Sequence, residues 1–149
     1  MKNIFLISCT ARKQEYRCKV EEMYQQSTLF KASFQYALSR VEDKESQIFI
    51  LSAKHGLISL SKVINPYDMT IKKFNKKERV EWGEKVFEQM GKLFDIQNTH
   101  IIFLAGSSYM EPLKLHLDRY NCEYSNPIPV ENRALGKRIK WLRENVEEK

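Results

Sequence analysis

A chain of 149 residues, 42% hydrophobic and 30% charged, is long enough to bury one full core and too short for two, so a single α/β domain over 1–149 is expected. Its three cysteines, Cys9, Cys18 and Cys122, are odd in number and scattered, so neither a disulfide framework nor a zinc site is indicated and a reducing cytoplasm is the expected compartment. No apolar run approaches the roughly 20 residues a membrane helix needs, and a net charge of +6 favours anionic partners such as nucleic acid or phosphorylated small molecules.

In chain order, the start is too short for a signal peptide and reads as a first strand near 3–9. NIFLISC, QIFILSA and HIIFLAG share one grammar: Ile, Phe and Leu in a continuous run, stopped by a small residue. Such runs suit strands buried on both faces, here near 3–9, 47–53 and 100–105. Between them, Leu29, Phe30, Phe34, Ala37, Leu38 and Val41 repeat at helical spacing, with Ser27 as a cap. Val80, Val86, Phe87, Met90, Leu93 and Phe94 repeat likewise after Asn75-x-x-Glu78, a capping-box variant. Leu113, Leu117 and Tyr120 mark a helix begun by Ser108-x-x-Glu111 and Pro112, and Leu135, Ile139, Leu142 and Val146 mark a last one. A weaker fourth strand, CEYSNPI, lies between these two.

Alternating strands and helices predict a three-layer α/β sandwich with a mostly parallel sheet of about four strands. The longest irregular piece, Lys54 to Asn75, spans about twenty residues, a length that usually serves function.

In open α/β sheets ligands bind beyond the strand C-termini. Four groups of polar residues fall there: Cys9, Thr10, Arg12 and Lys13; Ser52, Lys54 and His55; Gly106, Ser107, Ser108 and Tyr109; and Asn126, Glu131, Asn132 and Arg133. His55 is a candidate general acid or electrostatic stabiliser, because imidazole titrates near neutrality; its plainer reading is a cap on the turn after the second strand. Asp68 is a candidate for orienting water or accepting a proton, and Tyr67 for stacking on a base; both follow Pro66, which fixes the backbone. Their plainer reading is an Asx-type turn with a packed tyrosine. Lys54 and Lys13 are phosphate contacts or surface lysines, and a desolvated Lys13 is also a nucleophile. Cys9 ends a buried strand and reads first as a packed thiol, with a nucleophile as the alternative. No Walker motif, dinucleotide fingerprint or paired-cysteine metal motif occurs, so no metal or cofactor is expected.

Taken together, Cys9-Thr10-x-x-Lys13, Tyr24-x-x-Ser27-x-x-Phe30, Ser52-Ala53-Lys54-His55-Gly56-Leu57, Ile64-x-Pro66-Tyr67-Asp68 and Ala105-Gly106-x-x-Tyr109-x-x-Pro112-Leu113 resemble a small bacterial and phage family labelled YaaA-like or peroxide-stress-like. Thr10 stands where that family usually has serine. The first two elements are also similar to a domain of archaeosine synthase, in which a motif lysine attacks a deazaguanine nitrile. That resemblance implies a fold like uracil-DNA glycosylase.

These readings lead to an expectation of an enzyme acting on nucleic acid, DNA before RNA, that hydrolyses the N-glycosidic bond of a modified or damaged base. Asp68, His55 and Lys13 would carry the chemistry; Cys9, Thr10, Ser52, Lys54, Tyr67, Gly106, Ser107, Tyr109 and Arg133 would bind substrate. The alternatives are a non-catalytic DNA-binding stress protein, and an enzyme on a small nucleotide or deazapurine with Lys13 as nucleophile. Oligomeric state is not legible.

Overall fold

The structure, a computed structural model, describes residues 1–148. In chain order the elements are β1 (Lys2–Ser8), β2 (Cys18–Lys19), α1 (Val20–Met23), α2 (Thr28–Leu38), α3 (Lys44–Gln47), β3 (Ile48–Ser52), β4 (Gly56–Ser59), β5 (Val63–Ile64), α4 (Lys76–Leu93), β6 (Thr99–Leu104), α5 (Ser107–Arg119), β7 (Glu123–Ser125) and α6 (Leu135–Glu144). β1, β3, β6 and β7 are parallel, β4 is antiparallel, and the sheet order is β4-β3-β1-β6-β7. β2 and β5 form a separate two-stranded ribbon.

The apolar runs become buried strands because both faces of the sheet are covered. Phe5 and Ile7 of β1 face a cluster containing Phe30, Phe34 and Ala37 of α2 and Leu142 of α6. Ile4 and Leu6 face the opposite cluster, with Trp82, Val86 and Met90 of α4 and Leu113 and Leu117 of α5. Strand and helix periodicities therefore meet on each side of one sheet. Ile7 pairs with Ile50 on one side and Leu104 on the other, so β1, β3 and β6 end at one level.

Two helix starts form as their sequences predict. Ser27 accepts the Phe30 N–H through its Oγ, and Asn75 and Glu78 close a reciprocal capping box at α4. α5 differs. It begins at Ser107 with Gly106 as its N-cap and no side-chain cap, and Pro112 lies inside it rather than at its start. Proline has no N–H, so the Ser108 carbonyl loses its usual intrahelical partner.

The sheet has five strands rather than about four. The stretch from Lys54 is not irregular at first: a turn at Gly56, whose φ of 72° suits glycine, folds β4 back on β3. Gln89 of α4 holds that hairpin, donating to the His55 carbonyl at 3.2 Å and accepting from the Leu57 N–H at 2.8 Å. Among the described residues no helix is long and apolar enough to cross a membrane.

Candidate functional site

The chain crosses from β1 to β3 by way of α2 on one face, then returns past β1 to β6 by way of α4 on the other. Strand order therefore reverses between β1 and β6, and the loops leaving their C-terminal ends diverge there. Such a switch point opens a crevice where α/β sheets bind ligands. A cavity of about 400 Å³ occupies it. β1 and its following loop contribute Cys9, Thr10 and Lys13, the start of α5 contributes Gly106, Ser108 and Tyr109, and Lys72 and Arg138 close the rim. Leu29 and Met69 add apolar surface, and no carboxylate lines the wall.

Lys13 is half-buried, with Nζ 4.5 Å from the centre of the Tyr67 ring, a cation–π contact that holds the ammonium at the cavity. Tyr67 is held in turn by a chain of hydroxyls. Its Oη lies 2.7 Å from Tyr24 Oη and 2.8 Å from Ser52 Oγ, and Ser52 Oγ accepts the His55 N–H at 3.1 Å. The Ser52 carbonyl accepts Trp82 Nε1–H at 2.9 Å, and Trp82 packs edge-on to Tyr109. Tyr109 Oη lies 3.1 Å from Cys9 Sγ. Burial, then the neighbouring Cys9, pushes the pKa values of Tyr24, Tyr67 and Tyr109 well above the ordinary phenol range, so all three are neutral at physiological pH. Each such hydroxyl is buried with a partner, which fixes the aromatic wall.

The switch point brings together much of what the strand ends suggest: Cys9, Thr10, Lys13, Gly106 and Tyr109 share the cavity wall. Ser52 and Tyr67 stand behind it as support, Ser52 fully buried and Tyr67 carrying Lys13. Other residues fall elsewhere. His55 packs edge-on to Tyr67, 5.4 Å between ring centres, and its Nε2 is buried without a partner. Burial, then the charges of Lys54, Lys62 and Lys85, pushes this imidazole below its ordinary range, so it is neutral at pH 7 and off the cavity wall. Lys54 is exposed, and its carbonyl accepts from Lys85 Nζ. Asp68 is exposed and off the wall, although Met69 and Thr70, which follow it, line the cavity. Ser107 and Arg133 line an adjoining cavity. Lys72, Arg138 and Met69 complete the wall with no local motif to mark them, and Leu29 is marked in the sequence only by its helical spacing.

A model of a family of unknown function (DUF6884) matches residues 4–144, nearly the whole chain, and the chain belongs to that family. No curated protein matches it.

Proposed function

We propose that the chain is a nucleic-acid-acting enzyme, with DNA its first substrate, that removes a modified or damaged base by N-glycosidic hydrolysis. The observation that carries this reading is the cavity at the switch point, lined by Lys13, Lys72 and Arg138, flanked by Tyr109, Leu29 and Met69, and free of carboxylates. Cations there suit the sugar-phosphate backbone, and the aromatic and apolar surface suits the flat face of an extruded base. In the reaction, water adds to C1′ while the C1′–N bond breaks, and the departing base takes the bonding pair. Asp68, off the wall but next in the chain to the wall residue Met69, accepts the proton from water; the base is protonated from solvent. His55, neutral and behind Tyr67, supports the wall in this reading.

A second reading is favoured by one contrast: Lys13 is half-buried in the cavity wall, whereas Asp68 is exposed and off it. It makes the Lys13 amine a nucleophile toward a deazapurine or other small nucleotide, in keeping with the resemblance of Cys9-Thr10-x-x-Lys13 to archaeosine synthase.

The test is to incubate the protein with DNAs carrying different modified bases and to detect abasic sites by alkaline cleavage. Asp68→Asn keeps the size of the exposed side chain and removes the proton acceptor, so turnover should fall by about 10²–10⁴-fold with little change in binding. Lys13→Arg separates the two readings: it keeps the charge and removes the nucleophile. Retained activity supports hydrolysis, and abolished activity with retained binding supports covalent catalysis. Binding without product on every base tested would refute the hydrolase and leave a nucleic-acid-binding protein.

A further inference from the structure

We propose that a second, smaller cavity beside the first is a phosphate subsite, so that the ligand is a nucleotide bearing its phosphate rather than a free base or nucleoside. This rests on the nucleotide-handling reading of the main cavity. The second cavity, about 300 Å³, lies between the start of α5 and the segment joining β7 to α6, and shares Gly106 and Arg138 with the first.

Its walls are rich in donors whose orientations are already set. Arg133 donates Nε–H to the Ile128 carbonyl at 2.9 Å. Arg138 donates through Nε and Nη2 to the Arg133 carbonyl at 3.2 and 2.9 Å. These bonds orient both guanidinium planes and leave Arg133 Nη1 and Nη2 and Arg138 Nη1 without a protein acceptor among the described residues. Asn126 Oδ1 accepts the Ile128 N–H at 3.0 Å, which leaves its Nδ2 hydrogens unused as well. The backbone N–H groups of Ser107 and Ser108, in the first turn of α5, are unclaimed because Gly106 provides no side-chain cap.

No carboxylate lines this cavity, and neither arginine forms an ion pair among the described residues. Two half-buried guanidiniums therefore face a common space without a counterion, and Arg133 pushes the acidity of Arg138 in the same direction as burial does. A ligand with several anionic oxygens offsets that repulsion and accepts from the free Nη groups and the amide together. A phosphate group meets that requirement.

The experiment titrates inorganic phosphate into ¹⁵N-labelled full-length protein. The side-chain amide of Asn126 and the backbone amide of Ser107 should shift saturably. Arg133→Gln should weaken phosphate binding about tenfold or more. Arg133→Lys should restore part of it, and Lys92→Ala, on the far part of α4, should leave it unchanged. Shifts confined to Lys13 and Lys72, or an affinity unchanged in a folded Arg133→Gln protein, would overturn the subsite. A nucleoside 5′-monophosphate and a short single strand then show whether a free nucleotide or an internal strand phosphate is preferred. In either case the unphosphorylated nucleoside should bind more weakly, and equal affinity for nucleoside and nucleotide overturns the proposal. Loss of base excision with phosphate binding intact would refute the hydrolase instead and leave the subsite standing.

Discussion

His55 illustrates how a residue type can suggest chemistry while its surroundings decide the protonation state. A histidine just after a buried strand looks poised to titrate, but burial beside Tyr67 and the charges of three lysines hold it neutral. The consequence for stability has a definite sign. The native imidazole titrates below its ordinary value of 6.5, so on acidification the unfolded chain takes up the proton first. The stability that follows from keeping His55 neutral is fully present above about pH 6.5 and declines as pH falls from there through the lower native value. Melting temperatures at pH 8, 6.5 and 5 should therefore fall more steeply in the native protein than in His55→Gln, which has no ring to protonate. Parallel curves for the two would remove His55 as a source of acid sensitivity. None of this is legible in the local sequence, because Tyr67 from beyond β5 and Lys85 from α4 help to set it.

Among the elements, those coded by local chemistry were legible and those needing a distant partner were not. Three apolar runs stopped by small residues became β1, β3 and β6, and Asn75 with Glu78 announced the start of α4. β4 is not legible because its four residues become a strand only by pairing with β3 and by gripping Gln89. Pro112 reads as a helix start, but α5 begins at Ser107 and packs against α4 at the proline. Gly83 of α4 lets that packing be close: a Cβ there would overlap the backbone carbonyl of Pro112. Gly91, on the same helix, is exposed, and the nearest atom to a Cβ there would be Ile96 Cδ1 at 3.9 Å. The same substitution should thus have opposite signs at the two sites. Gly91→Ala gains about 1 kcal/mol of helix propensity and should raise the melting temperature by about 2–4 °C. Gly83→Ala makes the same local gain but forces backbone apart, a cost of about 1–3 kcal/mol, and should lower it. Thermal melts of both variants check this; a Gly83→Ala protein as stable as the native one would mean that α4 and α5 are not in backbone contact.

At the scale of the whole molecule, strand order decides where the loops meet, and strand order is not written in any one segment. The sequence therefore places Cys9, Lys13, Gly106 and Tyr109 at strand ends, but the reversal between β1 and β6 is what makes one cavity of them. The same topology gathers positive charge. Lys13, Lys72 and Arg138 in the main cavity, Arg133 in its neighbour, and Lys76 and Arg79 in a groove between α4 and α5 all surround the first turn of α5. None of these six side chains forms an ion pair among the described residues, whereas Lys92, Lys114 and Lys140 are paired with glutamates on their own helices. These cations border the path that a strand would take across the cavities. Affinity for single-stranded DNA should fall steeply with salt, because each phosphate neutralised releases condensed counterions. Replacing Lys72 or Lys76 by Ala should reduce the slope of log K against log salt by roughly 0.7 each, with similar losses on every sequence. Lys92→Ala should leave the slope unchanged, since that lysine already has Glu88. Fluorescence anisotropy over a salt series measures all three slopes. Equal slopes in every variant would show that the strand does not run past α5, and salt-independent binding would point to a small neutral ligand in the main cavity instead.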